Sequence, residues 1–151
     1  MAKPVLKRRK PQRRKRLRPQ RGVAVVEMAV LLPVFLVIIL GIVEFGRAYN
    51  VEHLLANAAR MGARRSVVDG STNTAVEQMV KDFCVSNLNV SASDITVVIT
   101  VGTVSGADLS TATTGDLVTL TVSVDFDDVS LIPGSYLGGK QLSDTCVMEH
   151  E

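Results

Sequence analysis

A single carboxylate interrupts the longest apolar stretch of this chain. Glu27 stands five residues after Gly22 in "QRGVAVVEMAVLLPVFLVIIL", residues 20–40, directly behind a block of arginines and lysines. An acid in hydrocarbon costs several kcal/mol unless it is paired, so its natural chemistry is the formation of a buried ion pair rather than catalysis. The other candidates are weaker. Cys84 and Cys146 are an even pair that an oxidising compartment would favour as a disulfide. His53 lies beside Glu52 and His150 lies in the tail, so metal-ligand spacing does not recur. Asp125, Asp127 and Asp128 read as a solvated strand end. No G-x-S-x-G, P-loop or G-x-G-x-x-G occurs. The chain therefore offers no catalytic residue, no metal site and no cofactor site, and is read as a non-enzyme.

The elements that must position Glu27 follow from charge and hydropathy. Eleven of the 17 basic residues precede Gly22, where there is no acid, and the remainder carries six basic against 15 acidic residues. A basic arm of this kind could serve nucleic acid through counterion release. The segment behind the arm points to a membrane instead. Val23 to Val43 is apolar except for Glu27, and as a helix it covers about 32 Å, close to the ~30 Å hydrocarbon core. Positive charge against one end of a span keeps that end in the cytoplasm. Three segments are expected: a basic cytoplasmic leader over 1–22, a transmembrane helix over 23–43, and an exported domain over 44–151. The bilayer is a partner and nucleic acid is not.

Beyond the span the helix should continue, because Val51, Leu54, Leu55, Ala58, Met61 and Gly62 recur at three- and four-residue spacing, with small residues that permit close approach. Pro33 lacks the N–H that would bond to the Ala29 carbonyl and is expected to kink or loosen the helix. Asp69-Gly70 reads as a stop. Thr74 and Glu77 form an S/T-x-x-E box expected to open a second helix, with Val76, Met79, Val80, Phe83 and Cys84 on one face. "DITVVITV" and "DLVTLTVSVDF" alternate as antiparallel strands, the second with Val118, Leu120, Val122, Val124 and Phe126 on one face. Thr103 to Asp116 reads as a mobile polar loop, and Leu142 to Met148 as a third strand. The fold class is α+β, a long N-terminal helix continuing into a small domain with a second helix and a short antiparallel sheet.

Gly22 followed by Val23, Ala24, Val25, Val26 and Glu27, behind basic residues and before an unbroken apolar run, resembles the cleavage site of type IV prepilins and pseudopilins. The resemblance implies a membrane peptidase that cuts after Gly22 and leaves Glu27 as the fifth residue of the mature chain. Cutting there would remove the whole basic arm and create an α-amine on Val23. In a bundle of such helices Glu27 of one subunit can pair with the Val23 amine of a neighbour, which selects one axial register. More narrowly, "VVEMAVLLPVFLVIILGIVEFGRAYNVEHLLANAARMGARRSV", Val25 to Val67, looks like the N-terminal signature of TadE-like proteins, the minor pilins or pseudopilins of tight-adherence (Flp) pili. That likeness implies a pilin-like fold, other pilins, pilus assembly machinery and a prepilin peptidase as partners, an inner-membrane location, and a part in adhesion and biofilm formation.

Two other readings stay open. The chain could be an uncleaved, signal-anchored protein whose outer domain binds something else, or a secreted protein cut after Ala48 through the small residues Gly46 and Ala48. In an exported domain a Cys84–Cys146 bridge would close a loop of 62 residues, for about 3 to 4 kcal/mol.

Overall fold

The computed structural model describes residues 21–131 and 137–150, so residues 1–20 of the expected leader lie outside the described residues. The chain divides into two compact units, the first ending at Leu36 and the second beginning at Val37. One helix, α1 (Arg21–Ser66), contains Pro33 and keeps its helical assignment on both sides of it. From Val23 to Leu40 every side chain is exposed. This helix is long and apolar enough to cross a membrane.

The second unit is α+β, as its periodicity predicts. After α1 come α2 (Asn73–Leu88), β1 (Ile95–Val101), β2 (Val104–Ser105), a 3-10 turn (Leu109–Thr111), β3 (Leu117–Asp125), a single-turn α3 (Phe126–Val129) and β4 (Gln141–Glu149). The four strands form one antiparallel sheet in the order β2-β1-β3-β4. Because side chains alternate along a strand, the register assembles inward-facing rows. Ile95, Val124 and Leu142 form one row, Ile99, Leu120 and Cys146 another, and Val101, Val118 and Met148 a third. The row of Val97 and Val122 ends instead on Asp144 of the edge strand. A charge on the inner face of an edge strand discourages further strand pairing.

The expected stripe of α1 closes this core. Val51, Leu55, Ala58, Ala59, Gly62 and Ala63 are buried, with Leu54 and Met61 half-buried beside them. Gly62 marks the closest approach: a Cβ there would lie 2.7 Å from Val80 Cγ2 of α2 and 2.8 Å from Leu120 Cδ1 of β3. Hydroxyls close the end of α1. Ser66 Oγ donates to the Gly62 and Ala63 carbonyls, and Ser71 Oγ donates to that of Arg65 at 2.6 Å. These bonds add to the backbone ones at the helix end, from Val67 N–H to the Ala63 carbonyl and from Val68 N–H to that of Arg65.

Three local expectations need correction. The N-cap of α2 is Thr72, whose Oγ1 accepts from Ala75 N–H, so Thr74 and Glu77 lie inside the helix rather than forming a box at its start. The cause is Asn73, which is helical while its side chain reaches across the chain, donating to the Ala107 carbonyl and accepting from Leu109 N–H. Those bonds also order the segment expected to be a loop. Between Thr103 and Asp116 it contains β2 and the 3-10 turn, with Leu109 buried. The third correction is at Phe126, which leaves the strand and begins α3 while still burying its ring.

Candidate assembly surface

In the first unit Gly22, Val23, Val26, Glu27 and Val30 line one shallow groove on α1. Their spacing places them on one helix face, with Val23 and Glu27 one turn apart. Gly22 is helical, its backbone does not enter the left-handed region, and a Cβ on it would meet nothing within 4 Å. Glycine inside a helix costs about 1 kcal/mol relative to alanine. Among the described residues nothing offsets that cost at position 22.

In the second unit two charged residues that sequence reasoning passed over act together. Glu44 is 2% exposed and accepts from Ser130 Oγ at 3.4 Å. One turn on, Arg47 donates from Nε to the Val129 carbonyl at 3.0 Å and from Nη2 to the Leu88 carbonyl at 3.2 Å. Those carbonyls belong to the last residues of α3 and α2. A guanidinium at two helix C-termini meets unpaired acceptors and the negative end of each helix dipole. The available signal was Glu44-x-x-Arg47 directly after the apolar run. Its partners lie 41 and 82 residues away from Arg47 and leave no local trace.

Further along α1, Arg60, Arg64 and Arg65 surround a groove of about 500 Å³ whose apolar lining includes Met61, Val68 and, from α2, Met79. No carboxylate is among its lining residues. Arg60 is held by its own helix, donating to the Ala56 carbonyl and to Asn57 Oδ1.

The remaining candidates are dispersed. Cys84 is buried on α2, where burial pushes its thiol up to about 11. Cys146 is half-buried on β4, and both are free thiols. Cys84 stands on α2, which packs on β1, and Cys146 on β4, two places from β1 in the sheet. His53 meets the Tyr49 ring edge-on at 4.3 Å, whereas His150 is buried and exchanges backbone hydrogen bonds with Gly115 and Asp116. Asp127 accepts from Gly139 N–H, as expected of a turn. Among the described residues no group of three or more His, Cys, Asp or Glu could hold a metal ion. Ala48, the alternative cleavage point, is buried within α1.

Compared with known families, residues 22–64 match the model for "TadE-like protein". No curated protein and no solved structure gave a match to this chain.

Proposed function

With a TadE-like N-terminal segment as the premise, we propose that this chain is a minor pilin or pseudopilin of a tight-adherence pilus. It inserts once in the inner membrane with residues 1–22 in the cytoplasm and the C-terminal domain outside. A prepilin peptidase cuts after Gly22, and the exposed Val23–Val43 helix joins or primes a fibre with other pilins, supporting adhesion and biofilm formation. The observation that carries this reading is the bare helix face: an apolar helix that none of the described residues covers, bearing one carboxylate a turn from Val23. Such a surface requires lipid or other helices, and an acid in either setting requires a partner. The open space around Gly22 adds to it, since a peptidase that must approach the backbone supplies the reason for glycine that the fold does not.

The test is Glu27→Val. It keeps the span apolar, so the variant should be inserted at normal level, while co-purification with other pilins should fall at least about tenfold, the consequence of leaving a neighbour's amine unpaired at a cost of a few kcal/mol. Association at wild-type level would make Glu27 a solvated lip residue and favour the uncleaved, signal-anchored alternative. Processing is tested separately by intact mass. Gly22→Leu should accumulate the full 151-residue form, and a chain beginning at Val23 in that variant would remove Gly22 as the processing site.

A further inference from the structure

Two clusters of like charge lie toward opposite ends of the second unit's stretch of α1, the arginine end also carrying Asp69 beside Val68 and the aspartate end Lys140 beside Phe126. At one end lie Asp94, set beside Asp125 by the pairing of Ile95 with Val124, and Asp127 and Asp128, exposed on the single turn α3. They are close enough that the Asp128 carboxyl is held above its usual range by local desolvation and then by the other three charges. This end is tied to the start of the unit's helix, since Ser130 bonds Glu44 and Val129 bonds Arg47. At the other end is the groove of Arg60, Arg64 and Arg65. Arg47 and Arg64 are 17 residues apart on one helix, or about 25 Å. The three arginines are half of the six basic residues that follow Gly22 in a segment carrying 15 acids. Their concentration in one carboxylate-free groove therefore runs against the charge of the rest of the domain.

We infer that the Arg60–Arg64–Arg65 groove receives the Asp125–Asp127–Asp128 end of a second copy of this chain. Each set is self-repelling and the two are complementary. Guanidinium groups around an apolar floor suit carboxylates, which they bind in bidentate fashion. Because the two surfaces stand at opposite ends of one domain, a copy cannot satisfy both by itself. The contact is head-to-tail and can repeat, as a heterologous interface that builds a filament does. It rests neither on Glu27 nor on cleavage at Gly22, so it can fail while the registry of the apolar helices stands, and the reverse.

The test uses the full chain in lipid vesicles. Arg64→Lys keeps the charge and introduces an amine, so a zero-length carbodiimide should join position 64 of one copy to Asp125, Asp127 or Asp128 of another, read by mass spectrometry of the dimer band. The ~25 Å separation excludes that bond within one chain. Raising salt from 50 to 500 mM should lower the yield by about tenfold, because surface pairs are screened over that range. Arg60→Glu with Arg65→Glu should abolish it, and adding Asp127→Lys and Asp128→Lys to those two should restore association of differently tagged copies. A far-UV spectrum checks folding of each form. Absence of the cross-link in a folded chain, a cross-link only to carboxylates elsewhere, or a charge swap that does not restore association would overturn the inference. Loss on arginine reversal with no response to the aspartate changes would also overturn it, giving the groove to a different anionic partner.

Discussion

Two stretches of the same helix, Val23–Val43 and Glu44–Ser66, have similar backbones and opposite fates. The first shows its side chains on all sides, while the second buries a stripe from Ala48 to Ser66 against the domain. Glycine separates them most clearly. At Gly62 an added Cβ would strike Val80 and Leu120, whereas at Gly41 it would meet nothing within 4 Å. One glycine thus has a packing reason among the described residues, and the other has none there. Polar residues divide in the same way: Glu44 and Arg47 are committed to partners in α2, α3 and Ser130, while Glu27 faces outward with Val23. A residue type acquires meaning from what surrounds it, and here half of one helix is left exposed by the described residues.

The largest expected effect tests that division directly. Gly62→Val should destabilise the second unit by about 2 to 3 kcal/mol through overpacking against two fully buried side chains, lowering its thermal midpoint by roughly 10 °C. Gly41→Val should leave the midpoint in place. Equal effects at the two positions, measured by thermal melting of the full chain in detergent, would erase the distinction between the halves.

Arg47→Ala comes next. Two charge-assisted hydrogen bonds to helix-end carbonyls are lost, and after discounting for partial exposure the expected cost is about 1 to 2 kcal/mol. Amide exchange should rise at the last turn of α2 and in α3, while α1 before Val43 should be unaffected. A stability unchanged by this substitution would show that the two carbonyls are served equally well by water.

The smallest effect concerns the thiols. With its thiol raised to about 11 by burial, Cys84 is only about 0.1% thiolate at pH 8, some two orders of magnitude less than an ordinary cysteine. Brief maleimide treatment of the native protein should therefore label Cys146 and spare Cys84. Two labels on unfolding without reductant confirm free thiols; no label in either state would establish a Cys84–Cys146 bridge instead.

Much of this architecture is legible in the residues alone. The long apolar helix follows from an unbroken apolar run, and the stripe of α1, both long strands with their inward residues, and the third strand depend on periodicity, which a chain carries locally. The N-cap of α2 falls two residues earlier than its local pattern predicts, for a physical reason. A capping box at Thr74 and Glu77 is a local rule, and it lost to Asn73, whose bonds to Ala107 and Leu109 come from 34 and 36 residues away. The same bonds turned an apparently featureless loop into ordered structure.

Taken alone, then, the residues determined where the chain is apolar enough for a membrane, which faces of its helix and strands turn inward, and that one acid sits at the head of the apolar stretch. These are consequences of hydropathy and of repeats of 3.6 and 2 residues. Only the tertiary structure decided that Arg47 closes two helices, that Met79 joins three arginines of α1 in one groove, and that the aspartates gather toward the opposite end. Each of these depends on strand order and on how α1 and α2 meet, and contacts between residues distant in sequence are set by topology rather than by any local pattern.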